Sequence, residues 1–539
     1  MRRFVLATLG VGFAATTGQV SAQTPAADDS SWRDGGVCYE IFVRSFFDSD
    51  GDGVGDLEGL IQKLDYVNDG DPDTRQDLGA NCICLMPIAA SSSYHGYDVT
   101  DYYRVDLRYG TNEDFQRFVA EAHRRGIQVL VDMVINHVSD NHPAFKHALL
   151  YPDSPYREWF RWSATPGPDN EWGDNNWRRS PVRDEYYYGF FSPRMPDLNW
   201  ESDSLREEMK RVASFWLDDM GADGLRLEAV WHLMEGADGQ AGHAPRTHDM
   251  LREYGAYVRE RHPGTFTIGE VFDSSDKIFD YYPDQLDAFF AFGVSEAILE
   301  AALTGDGTNL LDAVLHMQDR VPNDRWAPFL RNHDQVRTMT HLGGDEARAK
   351  VAAGLLLTIP GVPFVYYGEE IGMTGDKPDP RIRTPMHWEV EPAAGFTSGM
   401  PWEPLQPDSL TANVQTLGGE SGSLLNLYRD LIHLRGTHPA LGAGKLIALS
   451  TNTPSVTAFV RRIGSDVALV VANLGTDALA NVLLRADSGT VPAGEYSPVP
   501  LFGGGQAAPL EVEADGSFRG YVPLEVIEPL RTYVFDLTR

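Results

Sequence analysis

Cysteine is scarce: Cys38, Cys82 and Cys84 are the only three in 539 residues. So low a count excludes a fold assembled from disulfides, even in an oxidising compartment. All three lie in apolar, strand-like runs, where buried thiols are the default; a bridge from Cys38 to one of the other two is the alternative. Basic residues are also short, with 45 Lys and Arg against 78 Asp and Glu and a formal net charge of −33. That balance excludes a nucleic-acid partner, whose phosphates demand a basic surface, and suits a neutral ligand. Most of the acids read as solvated surface.

Long hydrophobic runs are confined to the start. Arg2 and Arg3 precede an apolar run from Phe4 to Ala15 and a Val20-Ser21-Ala22 site, which reads as a signal peptide over 1–22 and predicts a periplasmic or secreted protein. The run is short for a bilayer and no second one of that kind follows, so no integral membrane span is expected. Internal repeats and low-complexity tracts are absent. The oligomeric state is not encoded in any pattern of this kind.

What is present is enough apolar material, 42% of the residues, for more than one domain. From about residue 35 to 370 short β-rich runs alternate with helical patterns, the mark of a parallel α/β sheet. Candidate strands are 37–43, 82–86, 129–134, 224–227, 267–269, 288–292, 327–330 and 364–366. Eight such strands predict a (β/α)8 TIM barrel. Helical spacing is clearest over 113–125, 204–220 and 347–357. Residues 138–200 break the rhythm: rich in Trp, Tyr, Pro, Asn and Asp, without a clear helical period, they read as a loop-rich inserted domain after strand 3. Aromatic, polar loops of this kind suit sugar rings, which have apolar faces and hydroxyl edges. The expected division is a barrel over 32–137 and 201–440, the insertion over 138–200, and a C-terminal antiparallel β-sandwich domain over 441–539.

Barrel active sites lie at the C-terminal ends of the strands. There the sequence places Asp132-Met133-Val134-Ile135-Asn136-His137, Gly224-Leu225-Arg226-Leu227-Glu228, Ile268-Gly269-Glu270 and Leu330-Arg331-Asn332-His333-Asp334. One acid at a strand end is ordinary; an Arg, two Glu, an Asp and two His at successive strand ends are hard to ascribe to packing. No Ser, His and acid arrangement supports a peptidase or esterase.

These four segments resemble, in order and spacing, the conserved regions of the α-amylase superfamily, the family 13 glycoside hydrolases. Tyr94-His95-Gly96-Tyr97-Asp98, Met195-Pro196-Asp197-Leu198-Asn199 and the run Gly361 to Glu370 extend the likeness over nearly the whole chain after residue 22. The resemblance implies that Glu270 is the general acid/base and that Asp334 stabilises the transition state. It implies that Arg226 orients the nucleophile, that His137 and His333 hydrogen-bond the sugar, and that Tyr97 offers it a stacking face. Asp379 and Arg383 would grip the same sugar, with Asp98 pairing with Arg383.

The departure is Glu228, where the family has an Asp nucleophile. Glu can attack an anomeric carbon, but its extra methylene moves the carboxylate by roughly 1.5 Å, one C–C bond. A shifted backbone, a slow enzyme and a non-catalytic glucan-binding barrel are the three readings; the intact acid/base favours an enzyme. The expected reaction is retaining hydrolysis of α-1,4-glucosidic bonds in malto-oligosaccharides, with transglycosylation if a sugar replaces water. An α-glucosidase, an oligo-1,6-glucosidase and a trehalose-forming isomerase are the alternatives within the family, and an α-glucan is the expected partner.

Finally, Asp48, Asp50, Asp52 and Asp56 alternate around Gly53, like the first half of a calcium loop. Position twelve is Gly59 rather than Glu, which excludes an EF-hand. The stretch also resembles the loop after the first strand in related amylases, which implies a structural Ca2+ held by these four acids and the Val54 carbonyl.

Overall fold

The structure, a computed structural model, describes residues 32–167, 169, 175–234 and 242–537. The expected signal peptide, 1–22, lies outside the described residues.

All eight expected barrel strands form: β1 (Cys38–Ile41), β2 (Cys82–Leu85), β3 (Gln128–Met133), β4 (Gly224–Leu227), β5 (Phe266–Gly269), β6 (Ala288–Phe290), β7 (Trp326–Ala327) and β8 (Phe364–Tyr366). They are hydrogen-bonded in the parallel order β7-β6-β5-β4-β3-β2-β1-β8. A parallel bridge from Phe329 to Phe364 joins the two ends, so the sheet closes. β7 stops earlier than expected because Pro328 has no N–H to extend the ladder, although its carbonyl still accepts from Phe364 N. The strands are buried on both sides, as in any barrel wrapped by helices. Apolar side chains such as Leu130, Ile268, Phe329 and Phe364 fill the interior.

Register decides the cysteines. Parallel pairing puts Cys38 opposite Cys82 and leaves Glu40 opposite Cys84. Cys38 and Cys82 form a disulfide and Cys84 remains a buried thiol, so of the two alternatives the sequence left open it is the bridge from Cys38 that forms.

The insertion holds more regular structure than its composition predicts. Helix α1 (Pro143–Leu150) starts with Pro at its first position, and His142 caps it by accepting from Ala144 N. A small antiparallel sheet follows, with Tyr186–Tyr188 between Trp162–Ser163 and Trp177–Arg179. A bridge from His137 to Asp197 and the hydrogen bond from Leu198 N to Asn136 O tie this segment to the end of β3, and a bridge from Phe160 to Leu198 holds its two ends together. Helix α2 (Asp203–Ser214) returns the chain to the barrel.

Beyond helix α3 (Leu424–Thr437) the chain forms antiparallel sheets. The largest has the order Lys445–Ala448, Val456–Ile463, Asp466–Asn473, Arg531–Asp536, Val499–Phe502 and a core of its own around Val460, Val471 and Phe535. Two buried arginines lie at the junction with the barrel, Arg435 on helix α3 and Arg461 on the C-terminal sheet, and the second joins this unit to the barrel. Arg435 donates to Leu357, Ile359 and Gly361 carbonyls, and Arg461 donates to those of Thr358 and Gly444, so both satisfy carbonyls at or just beyond the end of the helix Glu346–Thr358.

Candidate active site

The ladder sets the site. Arg226 is paired in register with Asp132 on β3 and Ile268 on β5, and the two chains then continue in step past the strand ends. Glu228 N donates to Met133 O and Glu270 N donates to Leu227 O. Both glutamates therefore follow adjacent strands with the backbone still regular, and no bulge absorbs the extra length of Glu228. The next residue, Ala229, takes the left-handed conformation at φ 47°, turning the chain out of the barrel.

Arg226 lies at the centre of the acids. Its Nη1 donates to both oxygens of Asp132 at 2.9 Å, and its Nη2 donates to Glu270 Oε2 at 2.9 Å. Ala229 N also donates to Glu270 Oε2, at 3.3 Å. Glu228 receives no such help: it is buried, and its Oε2 has no hydrogen-bond partner among the described residues. Burial, reinforced by the charge of Glu270 and opposed by Arg226, pushes its carboxyl well above the usual range. The same burial raises Asp132 to about 6 even though Arg226 and His333 favour its charge.

A second group faces these from β7, β8 and the loop after β2. His333 Nδ1 is paired with Glu40 at the end of β1, and its Nε2 lies 3.1 Å from Asp334. Burial opposes a charged ring, but Asp334 and Glu40 outweigh it and raise His333 to about 10. Burial also opposes the Asp334 charge, yet His333 and Arg383 hold that carboxyl well below its ordinary value. Arg383 Nη2 donates to Asp334 at 2.7 Å and approaches Asp379 at 3.5 Å. Tyr97 stacks on His333 with centroids 5.6 Å apart, and its hydroxyl reaches Asp132 Oδ2 at 2.9 Å and His333 Nε2.

The structure thus brings together Tyr97, Arg226, Glu228, Glu270, His333, Asp334, Asp379 and Arg383. His137 is buried with both ring nitrogens engaged, one with Asn136 Oδ1 and the other with Tyr97 O, so here it fixes the backbone of Tyr97. Asp98 does not pair with Arg383. Its carboxylate accepts from the Ser91 and Ser93 hydroxyls and from Ser93 N, because the tight turn at Gly96 (φ 84°) returns the chain toward the Ala89–Ser91 strand.

Two members of the network carried no expected role: Asp132 and Glu40. The signal for Glu40 was a lone carboxylate inside the apolar run 37–43, and for Asp132 an acid opening the segment that ends in His137. Glu369 and Glu370 are buried acids of a different kind. Thr338 and Tyr428 donate to the first, Tyr39 and Tyr66 to the second, and together they anchor the chain after β8.

In the acidic loop Asp48, Asp50 and Asp56 each present an oxygen within 4.8 Å of the others, a donor set that fits a hard, oxygen-ligated cation. Asp52 does not join them; its carboxylate accepts from Val54 N at 2.8 Å. The backbone at Gly53 has φ 93°, and a Cβ there would collide with the Met400 carbonyl.

A closed (β/α)8 barrel with a glutamate pair, an arginine between acids, and a His-Asp-Arg cluster at its strand ends is the architecture of a glycosidase. Residues 40–444 match the family model described as the alpha amylase catalytic domain. The chain is 36% identical over 449 residues to Alpha-amylase 3 of Dictyoglomus thermophilum, covering 82% of this chain and 85% of that one. It is 32% identical over 506 residues to the Trehalose synthase/amylase TreS of Mycobacterium tuberculosis, covering 83% and 82%. The solved alpha-amylase from H. orenii superimposes with a TM-score of 0.81 at 37% identity, over 94% of this chain and 99% of that one. The chain belongs to the alpha-amylase family of glycoside hydrolases.

Proposed function

We propose that the protein is a retaining glycosidase that cleaves α-1,4-glucosidic bonds of short malto-oligosaccharides. The observation that carries this reading is the pair Glu228 and Glu270 at the ends of adjacent strands, with Arg226 bonded to Glu270. With the single proton of the pair on Glu270, the Glu228 carboxylate attacks the anomeric carbon while Glu270 protonates the departing oxygen; Glu270 then takes a proton from water as that water displaces Glu228 from the glycosyl-enzyme. Asp334, held ionised by His333 and Arg383, supplies negative charge opposite the developing oxocarbenium ion. Transfer follows when a sugar hydroxyl takes the place of water.

The name of the mycobacterial relative, a trehalose synthase/amylase, favours a second reading, a trehalose-forming isomerase for which maltose, a disaccharide of the same composition, is the substrate to try. Incubation with maltotetraose and with maltose, followed by chromatography and by NMR of the first-formed anomer, separates the two. Shorter α-anomeric maltodextrins support hydrolysis with retention; trehalose from maltose supports the second reading; no turnover of either refutes both and leaves a glucan-binding barrel.

A structural calcium ion at Asp48, Asp50 and Asp56 belongs to the same reading; it would stabilise the loop after β1 and supply no catalytic group. Export to the periplasm or the medium is supported by the pattern over 1–22 and by the Cys38–Cys82 bridge, since disulfides persist in oxidising compartments. N-terminal sequencing of protein from each cell fraction tests it.

A further inference from the structure

A cavity of about 300 Å3 lies between the strand Val99–Val105, the inserted segment and helix α2, and none of the catalytic or subsite residues lines it. That volume is at the lower end for ligand pockets and matches a single ring rather than a chain. Its walls carry Tyr102, Tyr103, Tyr156 and Trp159, over apolar packing from Leu205 and Met209. Tyr156 and Trp159 stand edge to face with centroids 4.9 Å apart, so the cavity offers flat apolar surfaces in two orientations.

The polar groups set the ligand class. Glu208 accepts from Tyr103 at 2.9 Å and its charge is met by Arg211, so it offers no free anion. His142 accepts from Ala144 N through Nδ1 at 3.2 Å, and burial lowers its pKa to about 4. The neutral ring therefore carries its proton on Nε2, a donor without a partner among the described residues. The Tyr156 hydroxyl is likewise without one, and Asp101 uses only Oδ1, toward Tyr103 N. A donor, an acceptor and a phenol beside aromatic faces match hydroxyls, which both give and take hydrogen bonds. An ammonium ligand would find acceptors at Asp101 and Tyr156 but would leave the His142 N–H without one, whereas a ring bearing several hydroxyls can satisfy all three.

We propose that this cavity is a second carbohydrate site, binding one pyranose ring of a neutral α-glucan away from the point of cleavage. The choice of α-glucan rests on the proposed function; the cavity and its donors do not. The test is maltose binding by the full chain carrying Glu270→Gln, followed by calorimetry and tryptophan fluorescence. Two sites per chain are expected, one of which weakens at least tenfold with Tyr156→Ala and also with the milder Asp101→Asn, while hydrolysis of a short aryl maltoside by either single variant stays unchanged. A single site that neither substitution moves, in variants with native melting curves, overturns the proposal and leaves the proposed function standing. Cavity binding that responds to both substitutions in a protein that turns over no glucan supports it and refutes that function. Absence of maltose binding at both sites overturns both.

Discussion

Shortening residue 228 is the sharpest test of the catalytic reading. β4 runs in unbroken register with β3 and β5 up to Leu227, and Glu228 N is still bonded to Met133 O, so the backbone at 228 has no slack. In Glu228→Asp the whole change falls on the side chain, and the carboxylate withdraws by roughly 1.5 Å, one C–C bond. A displacement of that size costs on the order of 10²-fold in rate for a nucleophile that must meet an anomeric carbon. Glu228→Gln, which keeps length but removes the attacking oxyanion, should abolish turnover. Oε2 has no partner to lose, so both variants should fold with native melting curves. The assay is kcat and KM on maltotetraose, with mass spectrometry of enzyme trapped by a 2-fluoro glycosyl donor. A covalent adduct on Glu228 in the native protein, and a fall in kcat for Glu228→Asp with little change in KM, are expected. Equal or faster turnover by Glu228→Asp would refute the reasoning, because the carboxylate of Glu228 would then stand outside attack range in the native enzyme.

Other consequences follow from the same geometry. Glu270→Gln should lose activity on maltotetraose and regain part of it on an activated aryl glycoside with azide, because a good leaving group needs little protonation; undiminished maltotetraose hydrolysis would remove Glu270 from its role. His333 is raised to about 10 from an ordinary value of about 6.5. Its contribution to stability is therefore complete below about 6.5 and is lost as pH rises through about 10. Denaturant midpoints should fall across that window, and Glu40→Gln should move the fall to lower pH; an unchanged profile in this variant counts against the pair. Chelation should lower the melting temperature while leaving the chemical step intact, and a melting curve indifferent to excess chelator, with no metal by elemental analysis, rules out the cation. Alkylation of unfolded, unreduced protein should label Cys84 alone, and Cys82→Ala should cost about 4 kcal/mol for the loop of 44 residues that the bridge closes; three labelled cysteines would exclude the bridge.

Much of the site was legible in the chain because barrel chemistry follows a local rule: an apolar run ends and a polar residue follows it. Glu228, Glu270, His333 and Asp334 obey it, Arg226 stands out as the one charge inside the run 224–227, and the eight strands were recognisable because each is a short apolar run between helical patterns. Helix α1 was not legible in the chain because its eight residues make little more than two turns, too short for an apolar period to repeat. What only the tertiary structure decided is the pairing. Which cysteines bond, whether Arg226 meets Glu228 or Glu270, that Asp98 belongs to the serines and not to Arg383, and that Glu40 pairs with His333 from 293 residues away are matters of register and closure. Periodicity in a sequence reports which face of an element is apolar; it carries no information on which residue of another strand stands opposite, and that is set only when the eight strands close on one another.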